Sequence, residues 1–165
     1  ANLFKAQGGA AKGFSLVDPG TAAALDGTVA RAYQRRQGWL GYYWSPTALL
    51  GRYAMVKLDA GVPHDAAEWE RCTRLASCTD PRPNDWPRAA VHTLVTDRFK
   101  QAGGPAYAYL VRRSWDSATL NAQLAWMQAQ QATGEQGARQ FLKARPEVWQ
   151  PWVDAAVAAR VRAAL

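Results

Sequence analysis

The sequence has little of what side-chain catalysis needs. Two histidines, His64 and His92, are the whole supply of imidazole in 165 residues. There is no Gly-x-Ser-x-Gly elbow, no glycine loop of the phosphate-cradling kind and no His-Glu-x-x-His pair. The acids are scattered, and no two are spaced for paired acid and base roles. His92 sits in the apolar run Val91-His-Thr-Leu-Val-Thr96, where a lone histidine reads as a core or sheet-face residue. Only His92 and Asp97 lie near a predicted strand end. An enzyme is therefore not expected, and nothing calls for a cofactor.

Long apolar runs are missing too, since none approaches the roughly 20 residues of a membrane-crossing helix. The opening Ala1-Asn-Leu-Phe4 has neither an initiator Met nor the basic-then-apolar pattern of a signal peptide. The chain is therefore expected to begin inside a longer gene product, as a processed piece. With 48% hydrophobic and 20% charged residues it is expected to fold around a core. The net charge of +7 raises nucleic acid as a partner. Its distribution argues against that partner: residues 1–60 hold 7 Lys/Arg and 3 acids, 61–96 hold 4 and 5, and 97–165 hold 9 and 5. Arg35-Arg36 and Arg112-Arg113 are the only adjacent basic pairs, so no phosphate-tracking stripe forms.

Cysteine is scarce as well. Cys72 and Cys78 stand alone with five residues between them. A metal site needs about four ligands, and only His64 and His92 are left to join them, at no recognisable spacing. The pair is read as a disulfide that pins an irregular segment, which implies an oxidising compartment.

Several elements are legible from pattern. Phe14–Val17 reads as a strand ending at Pro19-Gly20, and Thr21 as the cap of a helix carrying Leu25, Val29 and Tyr33. Trp39–Trp44 reads as a buried aromatic strand, which makes a βαβ unit with parallel strands. Met55–Asp59 reads as a strand, residues 61–87 as a long ordered loop, and Val91–Thr96 as a further strand. Beyond it the composition turns helical. One helix follows Ser114-Trp-Asp116, Thr133-Gly-Glu-Gln136 has capping-box spacing, Pro146 opens a turn, and a last helical segment covers 154–165.

What the chain has in excess is tryptophan, eight residues in all. Aromatic rings fill cores, and they also bind cations through their negative faces. Trp115, Trp126, Trp149 and Trp152 fall in helical segments and read as packing anchors, and Trp69 and Trp86 as loop packing. Tyr42, Tyr43 and Trp44 stand at the carboxyl end of a predicted parallel strand, where ligand crevices open. Both a ligand role and core packing remain open for them.

The run Gly41-Tyr-Tyr-Trp-Ser-Pro-Thr-Ala-Leu-Leu-Gly-Arg-Tyr53, followed by Met55-Val-Lys-Leu58, carries a resemblance. It resembles the Gly-(Trp/Tyr)-x-Pro-His-x-x-x-x-x-x-Tyr segment of the glycine betaine/choline-type substrate-binding proteins of ABC transporters. The runs Val91–Thr96, Tyr109–Asp116, Gly134–Leu142 and Val148–Trp152 are similar to that family's C-terminal order, so the similarity covers roughly Phe14 to Trp152. The resemblance implies a type II, periplasmic-binding-protein-like α/β lobe with a small, mainly parallel sheet and a helix-rich C-terminal half. Residues 1–90 would be a second-lobe portion with the βαβ unit and the disulfide loop, and residues 91–165 the return to the first lobe with the C-terminal helices. It also implies an extracytoplasmic protein that grips a small quaternary-ammonium ligand in an aromatic cage and delivers it to a membrane permease, with ATP hydrolysed in a separate subunit. Transferred by position, Trp44 falls on a cage residue, with Tyr43 and Tyr42 as neighbours. Thr47 stands where the family has a His that helps hold the ligand carboxylate. A hydroxyl is an uncharged and weaker donor, which brings choline level with betaine. The alternative is a non-catalytic α/β interaction module whose tryptophans are all structural. The exposure of Tyr42, Tyr43 and Trp44 discriminates between the two.

Overall fold

A computed structural model describes residues 1–165. The chain is 53% helical and contains no strand or sheet. Ten α-helices follow in order: α1 (Asn2–Ala6), α2 (Ala22–Gln34), α3 (Ala48–Arg52), α4 (Ala66–Glu68), α5 (Asp97–Ala102), α6 (Gly104–Arg112), α7 (Ser117–Gln130), α8 (Gly134–Ala144), α9 (Pro146–Trp149) and α10 (Ala155–Ala163). A π-helical turn, Trp69–Thr73, continues α4, and a 3-10 turn, Gln150–Trp152, continues α9. No helix is long and apolar enough to cross a membrane.

The expected α/β lobe with its parallel sheet is thus corrected. Phe14–Val17, Trp39–Trp44, Met55–Asp59 and Val91–Thr96 lie outside helices, but none of them forms a ladder with another. The reason is that a helix closes its hydrogen bonds within one segment, whereas a strand needs the N–H and C=O groups of a second one. Apolar and β-branched content marks a run that suits a pleated, half-buried surface and does not supply that partner. The side chains follow suit: Val91 and Leu94 are more than nine-tenths exposed. His92, expected in a core or on a sheet face, is exposed with them.

Helix-end signals fared better, because they are local. Thr21 Oγ1 accepts from the Ala24 N–H at 3.1 Å at the start of α2. Thr133 and Gln136 form a reciprocal capping box on α8. Asp116 caps α7 by accepting from the Thr119 N–H and hydroxyl, both at 2.7 Å, and the N–H bond chiefly holds its pKa below the usual carboxylate range.

The chain divides into two compact units, Ala1–Arg31 with Val56–Val91, and Ala32–Met55 with His92–Leu165. The first unit is built around buried polar groups. Asn84, almost fully buried, accepts from the Asp65 and Asp85 N–H groups and donates to Asp65 O and Thr73 Oγ1. Asn2 donates through Nδ2 to the carbonyls of Cys72, Thr73 and Leu75. Glu68 is buried, and both its oxygens are engaged by Arg71 at 2.7 and 3.1 Å, with the Arg82 N–H at 3.0 Å. The other edge of Arg71 holds Asp80. Cys72 and Cys78 are disulfide-bonded as expected, with Cα atoms 5.2 Å apart, so the loop closes both covalently and through Arg71.

The second unit has a hydrophobic core. Phe141, Trp149, Trp152 and Ala158 are buried together, with Tyr109, Leu142 and Val161 packed against them. Trp115 lies 4.7 Å from Phe141 and 4.9 Å from Trp152, ring centre to ring centre. The anchor reading is met for the buried Trp149 and Trp152, whereas Trp115 packs on the cluster from outside any helix and stays 37% exposed. The Trp149 indole N–H donates to Leu142 O at 2.8 Å, which satisfies its polar edge.

Two predictions follow from these cores. Phe141→Ala removes a ring from a packed cluster and should cost about 3–5 kcal/mol. Arg139→Ala breaks only an exposed pair with Glu135 and should cost less than about 0.5 kcal/mol. Urea unfolding measures both. The second prediction concerns acid. The Arg71 hydrogen bond, then the Arg82 N–H, hold the Glu68 pKa below the ordinary glutamate value of about 4.3. A carboxyl depressed on folding adds stability above its unfolded pKa and loses it as pH falls through the folded one. The melting-temperature advantage of the parent over Glu68→Gln should therefore be full near neutrality and shrink on acidification below about pH 4. An advantage that does not change with pH would contradict it.

Candidate functional site

Helix α2 ends at Gln34, and the chain turns at Arg36, whose φ of 56° is left-handed. It then runs without helix or strand to a bend at Ser45-Pro46, just before α3 begins. In this run Tyr43 and Trp44 stack, with ring centres 4.7 Å apart and planes 16° from parallel. Tyr42 joins them, 6.2 Å from Trp44 at 32°. Successive side chains of an extended chain point to opposite sides, so this triple contact requires the backbone to bend. The cluster is not sealed in a core: Tyr42 is 52% and Trp44 43% exposed. Tyr42 and Trp44 present ring surface to solvent while Tyr43, half-buried, backs Trp44, and exposed ring faces attract a cation.

Thr47 stands next to them in a defined role. It caps α3, its hydroxyl accepting from the Leu50 N–H at 3.3 Å. The hydroxyl keeps its own proton for a further acceptor. Leu49 is buried and anchors the short helix, and Tyr53 at its end packs on Tyr33 at 4.8 Å. The peptide between Ser45 and Pro46 is cis. The Thr47 N–H donates to Asn121 Oδ1 at 2.7 Å, and Ser45 Oγ lies 3.4 Å from the same oxygen. Asn121, on α7, was not legible as part of this region, since it is 74 positions from Thr47 and belongs to no motif.

Two other places were candidates on chemistry. Cys72, Cys78 and Asp80 come within 4.8 Å of one another, the closeness a metal site needs. The sulfurs are bonded to each other, so neither offers the thiolate a metal takes, and Asp80 is already paired with Arg71. A cavity of about 430 Å³ in the second unit is lined by Tyr109, Trp115, Met127, Phe141 and Trp152 among others. Gln123, the one polar amide in the lining, is already engaged, donating to Gly137 O. Phe141, Trp149 and Trp152 of that lining belong to the buried core of the unit, so the cavity lies among packing residues. Tyr42, Tyr43, Trp44 and Thr47 contribute nothing to it. His64 holds Asp85 O at 2.9 Å, a structural contact in the loop.

Residues 1–144 match the family described as the substrate-binding domain of the ABC-type glycine betaine transport system. The chain belongs to this family. No curated protein and no solved structure matches it. Its members are substrate-binding components of ABC transport systems, and that is the role of the chain at this level. The family match spans the aromatic cluster, Thr47 and Asn121 alike.

The geometry around Thr47 yields a prediction. Thr47→Ala removes the α3 cap and should lower stability by about 1 kcal/mol. Thr47→Ser keeps the oxygen and should restore most of it. Denaturant titrations of the three proteins check the order.

Proposed function

We propose that the chain binds a quaternary-ammonium compatible solute, glycine betaine, choline or a similar compound, with Trp44, Tyr43 and Tyr42 as the cation-facing rings. The observation that carries this is the exposed Trp44, stacked on Tyr43 with Tyr42 alongside, in a chain of the glycine betaine family. A trimethylammonium group carries permanent charge with a greasy surface, and its weak hydration makes ring faces a better host for it than for a small hydrated cation. Thr47 is the nearby hydroxyl that donates to a ligand oxygen. Since a hydroxyl grips a carboxylate less firmly than a charged donor, the site favours choline over betaine more than a histidine in its place would.

Delivery follows from the family role. The loaded protein docks on the membrane permease of its transporter, outside the cytoplasm, and ATP is hydrolysed in another subunit. The Cys72–Cys78 disulfide fits an oxidising, extracytoplasmic setting. The reading in which every tryptophan is structural suits Trp149 and Trp152, but the exposure of Trp44 weighs against it here.

Isothermal titration of the intact protein with choline, glycine betaine, carnitine and proline betaine tests the proposal. Each ring on a desolvated quaternary ammonium contributes on the order of 1–2 kcal/mol. Trp44→Ala should therefore weaken binding about tenfold or more. Trp44→Phe should cost less, because a π face remains. Trp126→Ala should lower stability and leave the affinity of the folded protein nearly unchanged. Unchanged binding by Trp44→Ala would reduce the cluster to packing.

A further inference from the structure

The turn that follows Trp44 is held by a helix that contributes no ring to the cluster. From Gly38 to Pro46 the chain forms no helix and pairs with no strand, so regular backbone hydrogen bonding does not set the positions of the three rings. What ties the end of this run is Asn121. Its Oδ1 accepts from the Thr47 N–H at 2.7 Å and from Ser45 Oγ at 3.4 Å. Ser45 is bonded directly to Trp44, and Thr47 caps α3. One carbonyl oxygen thus fixes both sides of Pro46.

The backbone reinforces this hold. Helix α3 lies so close along α7 that a Cβ on Gly51 would overlap the Asn121 carbonyl oxygen and Ala125 Cβ. Glycine is therefore required there for volume, and the close approach brings the short Asn121 side chain within reach of Thr47. Helix α7 is itself tied to α8, through Gln123 to Gly137 O at 3.0 Å, and so to the aromatic core of its unit. Asn121 is the point at which a rigid helix meets the irregular segment that carries the rings.

We infer that Asn121 is the positioning residue of the quaternary-ammonium site, setting the place of the Trp44 ring through Ser45 and Thr47. The inference rests on the aromatic-cage reading given above. Asn121 acts as an acceptor, so an aspartate at this position does the same work, while an alanine keeps the helix and loses the acceptor.

The test combines titration of choline and glycine betaine with fluorine NMR of the intact protein carrying fluorotryptophan, the Trp44 signal being assigned from Trp44→Phe. Asn121→Ala should shift the Trp44 resonance in the ligand-free protein and weaken choline binding about tenfold, the scale of one lost part-buried hydrogen bond. Asn121→Asp should return both towards the parent. In a Trp44→Ala background, Asn121→Ala should cost no further affinity, because the residue acts through that ring. If the Trp44 resonance stays in place in Asn121→Ala, or if the affinity loss is as large without the Trp44 ring as with it, Asn121 is only structural and the inference is wrong. If Trp44→Ala weakens binding while Asn121→Ala does not, this inference alone falls. If Trp44→Ala binds as the parent does, the cage reading falls and takes this one with it. Asn121→Ser, with its shorter side chain, replaces Asn121→Ala in every comparison should the latter not fold.

Discussion

The second unit hangs on the ring of Trp152. Phe141 lies nearly parallel to it at 5.9 Å, Trp115 meets it edge-on, and Tyr109 approaches at 6.3 Å. These partners come from α8, the α6–α7 link and α6, so one side chain joins the stretch 109–115 to the stretch 141–152. Each aromatic pair adds about 0.5–1.5 kcal/mol beyond the area it buries. The order then passes outward: α8 holds α7 through Gly137, and α7 holds the start of α3 through Asn121. Asn121 thereby links the end of the aromatic segment to that core.

The first unit solves the same problem with different means. Its buried members include Asn2, Glu68 and Asn84, and each is surrounded by partners that use its donors and acceptors. Such a network is geometrically demanding, because a half-satisfied buried amide or carboxylate costs more than an apolar residue in its place. That demand is met by local chain reversals around the disulfide and by an arginine whose planar fork serves two carboxylates at once.

How much of this was legible in the sequence depended on range. Thr21, Thr133 with Gln136, and the Cys72–Cys78 pair were read correctly because each signal and its partner lie within a few residues. The runs Phe14–Val17, Leu40–Trp44 and Val91–Thr96 have the composition of strands, but pairing depends on where a second segment lies, and composition is silent about that. Short α1, α3 and α4 were missed, as five residues or fewer leave no room for a helical period to show. At the site, the ring cluster could be read because its members are adjacent. Asn121 could not, since it acts through hydrogen bonds to residues more than 70 positions away, from a helix position that belongs to no motif.

The mixed surroundings of the tryptophans divide the protein optically. Trp149 and Trp152 are shielded from solvent, while Trp44 is open to it and stacked on Tyr43. A collisional quencher in the buffer reaches Trp44, Trp86 and Trp115 and leaves the enclosed pair emitting. Light from the open indoles, that of the cluster among them, therefore separates from the light of the enclosed pair without any label.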